Sequence, residues 1–198
     1  MEAEKRMKQK IMLENRRVQL IPLTLSHLKD LLPIALEPGL WQFSPINITN
    51  ERLLNEYLAF ALKEKEEGKA YPFVIIDKRT DEIVGCTRFY DIQPKHKTLE
   101  IGYTWISKAV QGTDLNKACK YELLKFAFED LKYNRVALRT DYLNHQSRHA
   151  IQKIGAKQEG ILRQHIITDS GRIRDTVYFS IIQEEWALIR KTIFAEYL

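Results

Sequence analysis

Glu100 is the residue at which a chemical reading of this sequence starts. It sits near the head of Leu99-Glu-Ile-Gly-Tyr-Thr-Trp-Ile106, where Leu99, Ile101, Tyr103 and Trp105 alternate with Glu100, Gly102, Thr104 and Ile106 at the period of a pleated strand. The strand breaks into a polar loop, Gln111-Gly-Thr-Asp114, and a helix opens at Leu115. A strand that passes through a glycine-containing loop into a helix forms an anion site. The first helical N–H groups lack an intrahelical partner, and the helix dipole adds about half a positive charge there. A carboxylate on the strand that feeds the loop marks this junction out from the many ordinary ones. Other constellations carry less. His145 and His149 have the i,i+4 spacing of zinc ligands on a helix, but the glutamate of H-E-x-x-H is missing and no third ligand is evident, so no metal is expected. No G-x-S-x-G elbow occurs, and Cys119 reads as a small packed residue.

The elements that must position these residues follow from periodicity. Arg17–Pro22 reads as a strand, and Thr24–Leu36 as a helix with Thr24 or Ser26 at its start. An aromatic-rich loop, Leu40–Asn47, leads to a helix from Asn50 that ends at Gly68. Tyr71–Asp77 is almost continuously apolar, as an interior strand would be; Glu82–Tyr90 follows, and with the Leu99 strand these form three successive antiparallel strands. A helix over 115–131, a strand over Val136–Thr140 and a short helix over 145–154 come next. Lys157–Thr168 and Ile173–Ile182 flank the turn signal Asp169-Ser-Gly171, and Gln183–Leu198 closes the chain as an amphipathic helix. The order predicts one α+β domain over 12–198, with a mixed, mostly antiparallel central sheet of about seven strands, helices on both faces, and a charged arm over 1–11. Trp41, Phe43, Tyr90 and Tyr103 read equally as core or as the wall of a groove.

Composition narrows the class. The 31 basic and 26 acidic residues are interspersed, so the net charge of +5 does not form the basic stripe of a nucleic-acid binder. No apolar run approaches the roughly 18 residues of a membrane span, and Met1–Lys10 lacks the apolar core of a secretory signal. Two cysteines without paired spacing, Cys86 and Cys119, fit a reducing cytoplasm.

Six short motifs occur in order: Glu100-Ile-Gly102, Gln111-Gly-Thr113, Asn144-x-x-Ser147, Lys153-x-Gly155-Ala156, Gly160-x-Leu-Arg163, and Arg174-Asp175-x-x-x-Phe179-Ser180 with Glu185-Trp186. On these, residues from about 12 to 186 resemble the GNAT-type N-acetyltransferases, in the group of Rim-type enzymes that modify ribosomal-protein N-termini. The resemblance implies acetyl-CoA as co-substrate and a primary amine as acceptor, with a protein or peptide α-amine ahead of a small-molecule amine, in a monomer or homodimer. It implies Glu100 as a base acting through water and Ser147 as the hydroxyl that meets the departing sulfur. Many members carry a tyrosine acid seven residues after the helix-opening asparagine; here that position is Ile151. The coenzyme would lie along Trp105 and Ile106, where a backbone N–H polarises the thioester carbonyl. It would meet Gln111, Gly112, Thr113, Asp114, Leu115 and Asn116 with its diphosphate, Asn144 with its pantetheine amide, and Arg148 and Lys153 with its phosphates. Asn144 and Ser147 could also serve simply as caps of their helix. Asp114 and Asn116 stand where the family's loop carries small residues. Asp114 reads as an outward-pointing helix cap; the rival reading is weakened coenzyme binding, in a GNAT-fold binding module that has lost catalysis.

Overall fold

A computed structural model describes residues 2–7 and 9–197. In chain order the elements are α1 (Glu2–Met7), β1 (Leu13–Glu14), β2 (Val18–Pro22), α2 (Leu28–Ala35), α3 (Glu51–Glu66), β3 (Tyr71–Asp77), β4 (Glu82–Gln93), β5 (Thr98–Ile106), α4 (Leu115–Lys125), β6 (Arg135–Asp141), α5 (His145–Lys153), β7 (Lys157–Ile167), β8 (Ile173–Ile182) and α6 (Gln183–Thr192). One sheet of eight strands runs β1-β2-β3-β4-β5-β6-β8-β7. The eighth strand beyond the expected seven is β1, whose two residues pair with β2 and are too short to show a period. The helix expected from Thr24 opens instead as a 3-10 turn over Leu25–His27 before α2 begins. The long helix expected over 115–131 closes in a wider turn over Phe126–Asp130, where the Leu131 N–H reaches back to the Phe126 carbonyl.

Each sheet face has its own core. Leu31, Ile34 and Ala35 of α2 and Leu54, Leu58 and Ala61 of α3 pack on Val74, Cys86 and Trp105. On the opposite face Leu115, Ala118, Cys119, Leu123 and Leu124 of α4, with Trp186 and Ile189 of α6, cover Leu20, Phe73, Phe89, Ile101, Val136 and Phe179. Asn50 starts α3 by accepting a hydrogen bond from the Leu53 N–H at 3.0 Å.

The sheet is antiparallel except between β5 and β6, which pair in parallel through only three residue pairs: Thr98↔Arg135, Leu99↔Val136 and Glu100↔Ala137. Beyond Glu100 the two strands continue unpaired to Ile106 and Asp141, so a cleft opens between them with Glu100 at its apex. The helices that follow, α4 and α5, start at the open end, the carboxyl end of two parallel strands, where ligands of open α/β sheets bind. Opposite the cleft, β5 carries a bulge. From Arg88↔Gly102 to Cys86↔Trp105 the chain takes three steps on β5 against two on β4, and Tyr103 within it has φ +49°.

Both thiols lie in these cores, and burial pushes Cys119 up to about 11 and Cys86 higher still. The native protein should therefore give no fast reaction with Ellman's reagent at pH 8 and two thiols per chain once unfolded in guanidinium; one fast native thiol would contradict this packing.

Candidate functional site

At the apex, the Glu100 carboxylate is almost buried, its side chain 12% exposed. Its Oε2 accepts a short hydrogen bond from the Tyr90 hydroxyl and lies 3.3 Å from Nε of Arg139. The same Nε donates to the Tyr90 oxygen at 2.9 Å, and the other branch of the guanidinium donates to the Tyr178 hydroxyl at 2.8 Å. Burial, then the nearby Glu100 charge, push the Tyr90 phenol far above its usual range, so it stays a donor to the carboxylate. Burial opposes the charge on Arg139, but the oxygens of Tyr90 and Glu100 outweigh it and hold the guanidinium charged. Gly102 makes room for the Tyr90 ring: a Cβ there would come within 2.6 Å of the ring edge.

Further along β5, the Ser107 N–H is spent on the Val84 carbonyl at 2.8 Å. Strand alternation then turns the Ile106 N–H the other way, to the edge that β6 has left. The Gln111 side chain folds back to the Ile106 carbonyl at 3.1 Å, and Gly112, at φ +75°, turns the loop toward α4. At the opening of α4 the Leu115 N–H meets Thr113 Oγ at 3.3 Å, and the Ala118 N–H returns to the Asp114 carbonyl at 2.9 Å. Asn116 Oδ1 is buried with no hydrogen-bond partner among the described residues.

Asp114 does not cap α4 with its side chain, against the expectation from sequence. Its carboxylate is drawn sideways to Arg17 Nε at 2.8 Å and to Arg79 at 3.4 Å. Arg17 is itself buried and also pairs with the buried Asp77. The hydrogen bond from Arg17 holds the Asp114 carboxyl below its ordinary 3.8. A depressed carboxyl contributes stability that is in place above about pH 4 and lost only as the pH falls through its folded value, so at neutral pH Asp114 is charged and compensated.

On the other strand's helix, Asn144 caps α5: its Oδ1 accepts from the Ser147 N–H at 2.9 Å. The Ser147 hydroxyl and the Asn144 Nδ2 make no hydrogen bond with any described residue. Arg148 lies back over the loop, donating to the Tyr142 carbonyl at 3.1 Å with its guanidinium 4.8 Å from the Tyr142 ring. Lys153 is exposed in the last turn of α5.

The aromatics split between the two readings left open. Trp41 packs on Trp105 and Tyr57, while Tyr103, partly exposed, meets Tyr90 edge-on at 5.0 Å. They make a wall on the α3 side of the cleft. The Leu40–Asn47 loop is tied across to the β7–β8 turn by Asn47 N–H to Asp169 and Asp169 N–H to the Pro45 carbonyl. Among the described residues no group of three or more His, Cys, Asp or Glu is arranged to hold a metal ion, and no helix is long and apolar enough to cross a membrane.

Residues 17–157 match the family model described as "Acetyltransferase (GNAT) domain". The chain belongs to the GNAT acetyltransferase family. It is 33% identical over 154 residues to "Putative ribosomal N-acetyltransferase YdaF" of Bacillus subtilis (strain 168), across 70% of this chain and 83% of that one. A solved GCN5-related N-acetyltransferase from Brucella melitensis is similar with a TM-score of 0.87 at 24% identity, covering 96% of this chain and 86% of that one. Mycobacterium smegmatis RimJ, solved with CoA-disulfide, is similar with a TM-score of 0.81 at 20% identity, covering 95% and 96%. Identities this low speak for the fold alone. Enzymes of the GNAT family take their acetyl group from acetyl-CoA.

Sequence reasoning about this GNAT domain missed Arg17, Arg139 and Tyr178. Arg139 had one faint signal, a charged residue at an inward position of a period-2 strand; Arg17 and Asp114 are 97 positions apart and had none. The Arg17 bridge makes unequal predictions for its two acids. Asp77→Asn, at a buried site, should cost about 3–5 kcal/mol, a fall of roughly 6–20 °C in thermal midpoint. Asp114→Asn, half exposed, should cost under about 1 kcal/mol. Because its charge is already compensated, Asp114→Asn should also change the coenzyme dissociation constant by less than about threefold by calorimetry; a tenfold tightening would mean the carboxylate repels the ligand.

Proposed function

We propose that the protein transfers an acetyl group from acetyl-CoA to a primary amine, with the N-terminal α-amine of a protein or peptide as the acceptor class. The observation that carries this reading is the buried carboxylate at the apex of the β5–β6 cleft, one oxygen held and the other open. The residues around the cleft fit the coenzyme. Gln111 to Asn116 would receive the diphosphate on the opening of α4, whose first N–H groups have no intrahelical acceptor. Asn144 would bind the pantetheine amide through its unused Nδ2. Arg148 and Lys153 would meet the phosphates once Arg148 leaves Tyr142. The coenzyme supplies the activated acetyl thioester, whose C–S bond breaks as the amide N–C bond forms.

The chain's own groups then have distinct tasks. Oε1 of Glu100 takes a proton from the amine through a water, which leaves a neutral nucleophile. The Ile106 N–H, with Trp105 beside it, donates to the thioester carbonyl as charge builds on its oxygen. The Ser147 hydroxyl donates to the departing sulfur and relays to it the proton that the attacking nitrogen sheds as the amide forms. The sulfur so leaves as thiol, while the proton taken up by Glu100 returns to solvent. With a single open oxygen on Glu100, the acceptor's own acidity matters. At pH 7.5 an α-amine of pKa about 7.7–8.0 is about a quarter to two-fifths neutral, whereas a lysine amine of pKa about 10.4 is neutral in about one molecule per thousand. That difference of a few hundred-fold favours α-amines, and the name of the Bacillus subtilis relative, "Putative ribosomal N-acetyltransferase YdaF", supports a ribosomal acceptor. The charge pairing of Asp114 weakens one of the two features that favour a GNAT-fold binding module without catalysis. The other, Ile151 in place of a tyrosine acid, is answered in this reading by Ser147. We place the activity in the cytoplasm, in keeping with two unpaired buried thiols.

Acetyl-CoA at about 100 times its dissociation constant should add about 2.7 kcal/mol, or roughly 5–10 °C in thermal midpoint; no shift at millimolar coenzyme would sink the proposal. Glu100→Gln should lower kcat by about 100-fold or more with little change in coenzyme affinity. Equal losses in both would contradict the base role. Thiol release over N-terminal peptides, polyamines and aminoglycosides should be fastest with peptides; faster turnover of polyamines would favour a small-molecule acceptor.

A further inference from the structure

Tyr90 and Arg139 belong to none of the motifs and have no task in the proton transfer just described. We infer that both are positioning residues for Glu100: together they hold its Oε2 and so turn Oε1 into the cleft. The inference rests on the reading of Glu100 as the proton acceptor.

The geometry is a closed triangle. Oε2 of Glu100, the Tyr90 hydroxyl and Nε of Arg139 each contact the other two. A glutamate has three side-chain torsions, and an ion pair alone would leave the carboxylate free to swing about the cation. The Tyr90 hydroxyl adds a second anchor on the same oxygen. No described residue donates to Oε1, and that atom is not sealed among the buried unpartnered ones. The anchors are themselves fixed. The second branch of the Arg139 guanidinium is held by Tyr178, directly across the β6–β8 ladder. The Tyr90 ring lies against Gly102 and meets Tyr103 edge-on. One oxygen of Glu100 is thus tied to side chains from β4, β6 and β8 at the point where β5 and β6 part.

A plain structural ion pair would need none of this directionality, and a double-mutant cycle separates the two cases. Tyr90→Phe keeps the ring and removes one hydroxyl. It should lower kcat by about tenfold while KM for acetyl-CoA stays the same. On a Glu100→Gln background it should have no further effect, since there is no carboxylate left to aim. Arg139→Lys restores charge without the two-branched grip, so it should recover less than half of the turnover that Arg139→Met loses. Gly102→Ala, which crowds the Tyr90 ring, should reproduce the Tyr90→Phe loss with every site atom retained. If Arg139→Met fails to fold, Tyr90→Phe and Gly102→Ala, checked by thermal unfolding, carry the test. The inference is overturned if Tyr90→Phe keeps kcat within about twofold while Glu100→Gln loses it, or if Tyr90→Phe costs as much with Gln at 100 as with Glu. Full turnover in Glu100→Gln would remove the base reading itself, and the inference with it.

Discussion

The parallel ladder between β5 and β6 runs for three pairs and stops at Glu100 and Ala137. Inside an eight-stranded sheet that is a costly place to stop, because the inner edge of each strand now carries backbone groups with no ladder partner. The arrangement is tolerable where the edge faces water or a ligand able to take those hydrogen bonds. The rest of the site depends on this parting. It frees the Ile106 N–H, lets the openings of α4 and α5 converge on one cleft, and leaves Glu100 as the last paired residue before the strands separate. Arg139 closes the apex on the α3 side, where the ladder can no longer hold the strands together.

Most of this architecture is legible in the sequence because it rests on local signals. The strand from Leu99, the cap at Asn50, the near-continuous apolar strand at Tyr71–Asp77 and the turn at Asp169-Ser-Gly171 each follow from neighbouring residues. The alternation expected through Trp105 holds only as far as Ile101, because the bulge at Tyr103 puts Trp105 in the core on the α3 face, opposite Leu99 and Ile101. The same holds for the loop from Gln111 and the Asn144 cap. What was not legible is the pairing of charged side chains between distant segments. Tyr90 meets Arg139 across 49 positions, and Arg17 meets Asp114 across 97. Neither pair leaves a periodic trace. The reading of Asp114 as a cap failed for this reason: cap preference is a local propensity, and the buried guanidinium of Arg17, just before β2, competes for the same carboxylate more strongly than an N–H does.

The Arg17 contact also explains how an acidic residue can stand in the loop proposed to take the diphosphate. Four charges meet at that corner, with Arg17 and Arg79 against Asp77 and Asp114. Arg17 is almost wholly buried, so its charge is poorly screened and acts on Asp114 more strongly than bulk solvent would. The corner is close to neutral as a unit, and the opening dipole of α4 keeps its pull on a phosphate.

The bulge at Tyr103 is the feature that lets one strand serve both cores. Without the extra residue, every side chain beyond it would move to the other face: Trp105 would leave its packing against Val74 and Cys86, and the Ile106 N–H would turn into β4. A bulge can relax, and polar groups grip this one from both sides. From the α4 side, the buried Lys120 donates to the Thr104 hydroxyl at 2.7 Å, and Thr104 in turn meets Thr87 at 2.8 Å. Burial lowers the affinity of Lys120 for its proton, so this amine is set in the core at a cost that its hydrogen bond to the Thr104 hydroxyl helps to offset. From the α3 side, the Arg88 guanidinium is stacked between the rings of Tyr57 and Tyr103, 4.8 and 4.0 Å from their centroids, and pairs with Glu64. Two buried cations on opposite faces of one bulge, Lys120 at Thr104 and Arg88 at Tyr103, are hard to justify as packing, since apolar side chains of the same volume would bury at less cost. They make sense as a means of fixing the strand phase, because a hydrogen bond or a stacked cation has one geometry where an apolar contact has many.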